Sequence, residues 1–249
     1  MGTVRIKNLS KIFETTDRRV VALNNVSFEA DGHVFVSLIG PSGCGKSTLL
    51  NILADIETPT SGTVDVLQDE QPAHVGYVFQ SPRLLPWRSV LDNLTFVHKE
   101  ITPEVRARCR ELLLKVGLEG VDNAYPGQLS GGMQQRAGIA RAFAIDPDVL
   151  LMDEPFSHLD AITGSALREE LHKIWMETKK TVVFVTHDVA EAVELSTEVV
   201  VLAPGGTLVE VVPIDLPFPR DPADDKVALA TADLMRRFKK AREDAVRVA

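Results

Sequence analysis

One stretch of the sequence decides the fold: residues 34–48 read VFVSLIGPSGCGKST. Its apolar first part, residues 34–39, predicts a buried strand, and a helical pattern runs over residues 48–54. Residues 40–47 between them fit the pattern G-x-x-x-x-G-K-[ST]. Three glycines let the backbone wind tightly, so that successive N–H groups point inward at the start of a helix. We therefore predict a phosphate-binding loop between a strand and a helix.

The residue types in this loop predict its contacts with a nucleotide. We expect Lys46 to reach the β- and γ-phosphates and the Ser47 hydroxyl to ligate Mg²⁺. Thr48 and the backbone amides of residues 43–47 are expected to hold the α- and β-phosphates. The candidate nucleotide-binding residues of this segment are Gly40, Ser42, Gly43, Cys44, Gly45, Lys46, Ser47 and Thr48.

A pair of carboxylates follows a second apolar strand. Residues 149–152 are apolar, and Asp153 and Glu154 come directly after them. Ligands of open α/β sheets bind at the carboxyl ends of the strands. We therefore expect Asp153 to hold Mg²⁺, usually through water, and Glu154 to polarise an attacking water. An isolated Asp-Glu pair is more often a solvated turn, but a phosphate-binding loop in the same chain favours the functional interpretation.

The remaining apolar segments predict an α/β fold. Residues 75–79, 182–185 and 199–202 form short runs, rich in β-branched residues, that suit strands covered on both faces of a parallel sheet. Helical periodicity is visible at residues 105–116 and 167–175. Strand and helix patterns that alternate along the chain indicate a parallel sheet flanked by helices.

Two regions depart from this alternation. The N-terminal segments 4–9, 20–23 and 26–28, together with 63–66, predict an antiparallel β piece, because turn residues separate alternating runs. Residues 81–145 are predominantly helical, and we expect them to form an insertion between two strands of the core. The predicted organisation is a domain over residues 1–221 that contains this insertion, followed by a C-terminal helical extension over residues 222–249.

The C-terminal extension is predicted as a polar, basic helix. Its face is either solvated or in contact with anionic lipid headgroups or a partner protein. Its apolar positions are Leu234, Phe238, Ala241 and Ala245, and its basic cluster consists of Arg236, Arg237, Lys239, Lys240 and Arg242.

The overall composition excludes several classes of protein. The 249 residues carry a net charge of −8, which argues against a nucleic-acid partner. Cys44 and Cys109 lack metal-binding or disulfide spacing and indicate a reducing, cytoplasmic setting. No apolar run exceeds five residues, far below the roughly 20 that cross a bilayer, and residues 1–10 lack the apolar core of a signal peptide. We expect any membrane role to be exerted from outside the bilayer.

Residues 129–136, LSGGMQQR, resemble the signature motif of ATP-binding cassette (ABC) ATPases. The resemblance implies a P-loop NTPase with a RecA-like parallel-sheet core, an N-terminal antiparallel β subdomain and a helical insertion subdomain. It also implies that Ser130, Gly132 and the dipole of the following helix grip the γ-phosphate of ATP held by a second copy of the chain. Two head-to-tail copies would then enclose two ATP molecules, each with Mg²⁺.

Other motifs of the ABC family follow in order along the chain. Gln80 matches the glutamine that senses Mg²⁺ and the attacking water, and His187 matches the switch histidine, expected to contact the γ-phosphate and to orient the water with Glu154. Asp160, in the sequence SHLD, matches the D-loop that crosses the dimer interface. Phe13 stands where an aromatic ring stacks on adenine, with core packing as the alternative. The resemblance therefore implies as catalytic residues Glu154, His187, Gln80 and Lys46, and as metal ligands Ser47, Gln80 and Asp153.

Within the family, the chain resembles importer ATPases of the nitrate, sulfonate and taurine group. The resemblance rests on residues 81–94, SPRLLPWRSVLDNL, and on residues 216–221, LPFPRD. It implies a peripheral protein at the cytoplasmic face of the cell membrane that powers uptake of a small anion through a separate permease, with an extracytoplasmic substrate-binding protein in the complex. The region around Trp87 would receive the coupling helices of the permease; packing of Trp87 within its own domain is the alternative.

Two other functions are compatible with the same motifs. One is an ABC ATPase that serves a lipid or efflux system. The other is a soluble ABC ATPase that acts on nucleic acid or the ribosome. Relatives of the latter kind carry long coiled-coil insertions or a second cassette, which this sequence does not show, and the acidic balance adds no support for it.

Three residues raise separate questions. Asp55 stands where a glycine is common after the phosphate-loop helix, and His158 stands where a small D-loop residue is usual. Each either alters dimer contacts or has little effect. Cys44 lies inside the phosphate loop, so inhibition by maleimides with protection by ATP is one expectation for it, and a buried, inert thiol is the other.

Overall fold

Two sheets and seven α-helices form the fold in the computed structural model, which describes residues 2–14, 18–157 and 159–248. Side chains are described as far as Glu243 in the last helix. His158, which raised a question about dimer contacts, lies outside the described residues. Within these ranges, no helix combines the length and the apolar character that a membrane span requires.

The elements follow the predicted alternation of strands and helices. The strands are β1 (Gly2–Glu14), β2 (Arg19–Asp31), β3 (Phe35–Ile39), β4 (Ser61–Gln68), β5 (Gln71–Pro72), β6 (Val75–Val78), β7 (Val149–Asp153), β8 (Thr181–Val185), β9 (Glu198–Ala203) and β10 (Thr207–Pro213). The helices are α1 (Lys46–Leu53), α2 (Val90–Thr95), α3 (Pro103–Lys115), α4 (Gly131–Ala144), α5 (Ala161–Thr178), α6 (Val189–Leu195) and α7 (Asp225–Val248).

Six strands form one sheet in the order β10-β9-β3-β8-β7-β6. Neighbouring strands from β9 to β6 run parallel, and β10 pairs antiparallel with β9 at one edge. β3, β7 and β8 are buried along their whole length, as expected for strands covered on both faces. The α/β fold class is therefore confirmed, and each of the five strands predicted for this sheet lies within one residue of its predicted ends.

Four strands form a second, antiparallel sheet in the order β2-β1-β4-β5. This confirms the antiparallel piece predicted near the N-terminus, with one correction. The runs at 20–23 and 26–28, predicted as separate strands, belong to the continuous strand β2. Between them, Asn25 adopts a left-handed φ of 51° where the pairing with β1 shifts register. The polar residues between the two runs therefore form an irregularity in one strand and not a turn.

Alternate residues of the central strands enter two hydrophobic cores. Leu150 and Met152 of β7 pack with α2, α3 and α4, the helices that lie between β6 and β7. Val149 and Leu151 enter the core on the other face, which contains residues of α1, β1 and β2. A third core joins α6 and α7 to β9 and β10. The predicted helical insertion therefore shares a core with the sheet.

The end of α1 explains the preference for glycine at position 55. Ala54 caps the helix, and Asp55 follows it with a left-handed φ of 55°. A residue other than glycine in this conformation costs roughly 1 kcal/mol, which is why glycine is favoured directly after a helix. Asp55 therefore occupies a position at the end of α1 where glycine would adopt the same backbone conformation at a lower cost.

The C-terminal helix α7 packs onto the rest of the protein through its predicted apolar positions. Leu234 and Ala241 are buried against α6 and β9, while Ala245 lies outside the described side chains. Arg237 forms ion pairs with Asp233 of the same helix and with Glu210 of β10. Part of the basic cluster is therefore paired within the protein.

Arg220 anchors the segment that joins β10 to α7. Its buried guanidinium group donates hydrogen bonds to the carbonyl oxygens of Val193, Ser196, Ile214 and Leu216, at 2.6–3.2 Å. Val193 and Ser196 lie at the C-terminal end of α6, where carbonyl groups have no partner within the helix. Burial lowers the pKa of Arg220 to about 10, so the side chain stays charged at neutral pH.

We predict that Arg220→Met lowers the free energy of unfolding by about 2–4 kcal/mol, because several buried carbonyl groups lose their donor. Chemical denaturation followed by circular dichroism measures the difference. Arg236→Met is the matched control, since Arg236 is an exposed residue of α7 paired with Asp233, and its loss should change the stability by less than about 0.5 kcal/mol. Equal stabilities of the two variants would contradict the prediction.

Candidate active site

The predicted phosphate loop connects the end of β3 to the start of α1 at Lys46. Gly43 and Gly45 adopt left-handed φ angles of 80° and 93°. A methyl group at Gly45 would lie 2.1 Å from the carbonyl oxygen of Ala22 in β2, so no side chain fits there. The antiparallel sheet therefore supports the loop directly. Ser42 and Gly43 are exposed to solvent, which leaves this side of the loop accessible to a ligand.

Lys46 lies against the backbone of the loop it follows. Its buried ammonium group donates hydrogen bonds to the carbonyl oxygens of Gly40 and Pro41, at 2.8 and 3.1 Å. Thr48, two residues further along, is half-buried in the first turn of α1. The positive charge of Lys46 is therefore held at the phosphate loop, where it suits a phosphate group.

Asp153 lies at the end of β7 beside Ser47. Its carboxylate is buried, which raises its pKa above the ordinary value; the charge of Glu154 adds to this rise, while a hydrogen bond from Ser47 opposes it. A hydroxyl and a carboxylate oxygen side by side are the hard donors that Mg²⁺ takes from a protein, with phosphate oxygens and water completing its octahedral shell. The donor set of Ser47 and Asp153 therefore fits Mg²⁺.

Glu154 has an unusual backbone conformation for a residue with a side chain. Its φ is 45°, in the left-handed region, which costs roughly 1–3 kcal/mol outside glycine. Its N–H donates a hydrogen bond to the carbonyl oxygen of Val185 at the end of β8, at 2.9 Å. The chain therefore turns sharply at the end of the sheet, and the side chain of Glu154 remains 21% exposed.

Three predicted catalytic residues meet at one atom, Oε2 of Glu154. Gln80 donates a hydrogen bond from Nε2 at 3.3 Å, and His187 Nδ1 lies at 3.2 Å. Gln80 follows β6 and His187 follows β8, and these two strands flank β7, which precedes Glu154. Because parallel strands end at the same edge of a sheet, residues far apart in the chain converge here. The imidazole of His187 is 65% exposed, so it can also contact a ligand.

The signature and D-loop residues cap two helices. The Ser130 hydroxyl accepts a hydrogen bond from the Met133 amide at the start of α4, and the Asp160 carboxylate accepts one from Thr163 at the start of α5. A methyl group at Gly132 would lie 3.1 Å from the side chain of Leu159, so the two motifs are neighbours in the fold.

Asp160 lines a cleft together with Glu154 and His187. Ser130 stands at an exposed helix N-terminus, a position that favours anions.

Phe13 is carried by the same antiparallel sheet that supports the phosphate loop. It pairs with Val20 of β2, two residues before the Ala22 that contacts Gly45. Its ring is partly exposed, and the Lys11 ammonium group lies 4.7 Å from the ring centroid. The exposed part of the ring can stack on a heterocyclic base.

The structure also contains polar residues near the site that sequence analysis missed. Arg168 of α5 contacts Glu191 and Glu194 of α6, and Glu191 accepts a hydrogen bond from Thr186, the residue before His187. In the sequence these charges have the spacing of ordinary solvated helix faces. The signal that distinguishes them is burial, which no local pattern reveals.

Cys44 is packed inside the loop. Its side chain is only 1% exposed, and a methyl group at Gly40 would lie 2.5 Å from its sulfur. Burial raises the pKa of the Cys44 thiol, although the nearby charge of Lys46 opposes the rise. The structure therefore favours the inert thiol among the two expectations.

The arrangement as a whole suits hydrolysis of a phosphoanhydride. The phosphate loop and Lys46 offer positive potential that suits phosphate groups. Ser47 and Asp153 offer oxygen atoms that suit a divalent cation, and Glu154 offers a carboxylate that can accept a proton from water. These groups come from separate strand ends of one sheet, which holds them on a rigid frame.

Comparison with known proteins agrees with this chemistry. The family described as ABC transporter matches residues 23–157. An uncharacterized ABC transporter ATP-binding protein of Methanocaldococcus jannaschii, MJ0412, is 52% identical over 225 residues, which are 88% of this chain and 84% of the relative. The aliphatic sulfonates import ATP-binding protein SsuB of Bacillus cereus is 39% identical over 242 residues, with 96% of each chain covered.

A solved structure shares the fold. The ATP-binding cassette MJ0796, in a dimeric post-hydrolysis state bound to ADP and Pi, superposes with a TM-score of 0.78 at 35% identity. The alignment covers 86% of this chain and 100% of that chain. The family match, residues 23–157, includes the phosphate loop, Asp153 and Glu154.

We predict that Cys44 reacts with N-ethylmaleimide at pH 7 at least about tenfold more slowly in the native protein than in guanidinium chloride, because the thiolate is the reactive form and burial disfavours it. Mass spectrometry after timed quenching measures the rate. Cys109, which is also buried with a raised pKa, serves as the internal control and should behave alike. Rapid labelling of Cys44 alone in the native protein would contradict the prediction.

Proposed function

Because the chain belongs to the ABC transporter family and is an ATPase of that family, we propose that it powers import of a small anion, of the nitrate, sulfonate or taurine kind, through a separate membrane permease. The observation that carries the ATP-hydrolysing part of the proposal is the convergence of Gln80 and His187 on the carboxylate of Glu154 beside a phosphate loop. The choice of substrate class is supported by the similarity to a protein named for import of aliphatic sulfonates.

In the proposed mechanism, ATP is hydrolysed through positioning and electrostatics. The amides of residues 43–47 and the ammonium group of Lys46 stabilise the negative charge of the phosphates. Glu154 accepts a proton from the attacking water, while Gln80 and His187 hold its carboxylate in place from two sides. This arrangement needs no covalent intermediate with the protein.

The proposed cofactor site lies next to this carboxylate. Mg²⁺, when bound, supplies positive charge beside the β- and γ-phosphates. Ser47 and Asp153 are its proposed ligands, and Gln80 is the third. Phe13 is proposed to stack on the adenine ring.

A second copy of the chain is the proposed partner at the open side of the site. The related cassette MJ0796 is dimeric in a structure that contains ADP and Pi. In the proposed head-to-tail arrangement, Ser130 and Gly132 of one copy contact the γ-phosphate bound by the other, and Asp160 lies at the interface. The exposed N-terminus of α4 supports this role, since the first amide groups of a helix have no partner within the helix and suit an anion.

The proposed permease contact is the loop that carries Trp87, whose side chain is 72% exposed. The buried side chain of Asn93 fixes this loop, because it accepts a hydrogen bond from the Leu85 amide and donates to the carbonyl oxygens of Leu85, Arg88 and Ser89, at 2.7–3.2 Å. An exposed indole on a well-ordered loop is a typical anchor of a protein interface.

This contact would place the protein at the cytoplasmic face of the cell membrane as a peripheral subunit. An extracytoplasmic substrate-binding protein is proposed for the same complex. The net charge of −8 gives no support to a nucleic-acid partner. If the permease that co-purifies belongs to a lipid or efflux system, the alternative transport function replaces import of a small anion.

We predict that Glu154→Gln lowers the rate of ATP hydrolysis at least about 100-fold, because an amide cannot accept the proton from water. Steady-state phosphate release measures the rate, and gel filtration with ATP should still detect the dimer. Glu119→Gln is the control, since Glu119 is an exposed residue of the helical insertion, and it should hydrolyse ATP at the wild-type rate. Near wild-type hydrolysis by Glu154→Gln would show that the assignment of the base is wrong.

We also predict that Trp87→Ala weakens retention of the permease in detergent extracts at least about tenfold, because an interface anchor contributes about 1.4 kcal/mol or more. Affinity purification of the tagged ATPase followed by mass spectrometry measures retention, and ATP hydrolysis by the isolated protein should not change. Leu229→Ala, which alters another exposed apolar residue, on α7, is the control. Equal retention by both variants would exclude Trp87 from the contact.

A further inference from the structure

Arg168 of α5 joins two acidic residues of α6. Its Nε donates a hydrogen bond to Glu194 at 2.8 Å, and its Nη1 donates one to Glu191 at 3.4 Å. All three side chains are largely buried. Burial raises the pKa of both carboxyl groups, and the Arg168 charge opposes that rise. The arginine therefore keeps two neighbouring carboxylates paired in a region with little water.

The contacts continue from Glu191 to the residues on both sides of His187. The Thr186 hydroxyl donates a hydrogen bond to Glu191 Oε2 at 2.7 Å, and it accepts one from the Asp188 amide at 3.0 Å. His187 lies between these two residues and points at Glu154. The position of the imidazole is therefore fixed through the chain of contacts that ends on Arg168.

Arg168 also contacts the segment after Glu154. Its guanidinium carbon lies 5.9 Å from the ring centroid of Phe156, within the range of a cation–π contact. The same helix begins directly after Asp160, whose carboxylate caps it. One arginine thus contacts Phe156, two residues after Glu154, and Glu191, which bonds to the residue before His187.

We propose that Arg168 is a positioning residue for ATP hydrolysis. It acts through Glu191 and Thr186 to hold the imidazole of His187 within hydrogen-bond distance of the Glu154 carboxylate. The inference rests on the role proposed above for His187. It assigns no contact between Arg168 and the nucleotide. Loss of Arg168 should therefore impair the chemical step and leave ATP binding almost intact.

The first experiment compares steady-state kinetics of Arg168→Met and Thr186→Val with the wild type. Each variant should lower kcat on the order of tenfold and keep KM for ATP within about twofold, because misplaced catalytic groups mainly slow the chemistry. Thr186→Val preserves the shape of the side chain, so it still tests the proposal if Arg168→Met does not fold. Arg110→Met, which breaks the exposed ion pair with Asp122 on the helical insertion, is the matched control and should keep the wild-type kcat.

The second measurement separates positioning from general destabilisation. In a His187→Ala background, Arg168→Met should cause no further loss of kcat, because the two residues act through one imidazole. In the nucleotide-free protein, Arg168→Met should accelerate amide hydrogen exchange of residues 186–190, and Arg110→Met should not.

The outcomes are distinguishable. A kcat within twofold of the wild type for both Arg168→Met and Thr186→Val overturns the positioning role and leaves the proposed function intact. The same holds if Arg168→Met lowers kcat equally with and without His187. Wild-type kcat in His187→Ala alone overturns both the positioning role and the proposed part of His187 in hydrolysis.

Discussion

The carboxyl edge of the six-stranded sheet determines where the proposed catalytic groups lie. Its parallel strands end side by side, so the phosphate loop after β3, Asp153 at the end of β7 and Thr186 after β8 reach one edge although they are far apart in the chain. The sheet is stable because alternate residues of a strand, such as Val149 and Leu150, enter different cores. Burial of apolar side chains thus fixes the geometry of charged ones.

Two local backbone constraints, at Gly45 and at Glu154, also determine where the groups of the site lie. The carbonyl oxygen of Ala22 leaves no room for a side chain at Gly45, so the antiparallel sheet determines the path of the phosphate loop. Glu154 keeps a left-handed backbone, held by the hydrogen bond from its amide to Val185. Such a conformation persists only where surrounding contacts maintain it. The carboxylate is therefore oriented both by its backbone and by its contacts with Gln80 and His187.

The parts of the fold that depend on short-range patterns could be predicted from the sequence. Buried strands have continuous apolar runs, and the phosphate loop has a fixed spacing, so both can be predicted from the sequence. The continuity of β2 through Asn25 cannot be predicted in this way, because asparagine is common both in turns and at left-handed irregularities within a strand. The contacts of Arg168 and Arg220 cannot be predicted from the sequence for another reason: a buried arginine with several acceptors has the same local sequence pattern as an exposed one.

In the loop around Trp87, one residue determines the path of the backbone and other residues determine the chemistry of the surface. Its path is determined by Asn93, a buried amide that lies outside the loop and bonds to its backbone at Leu85, Arg88 and Ser89. Its surface chemistry is determined by the side chains at the tip, which take no part in those bonds. The tip residues can therefore diverge during evolution without refolding of the loop, so that one scaffold is able to acquire new binding preferences by surface substitution alone.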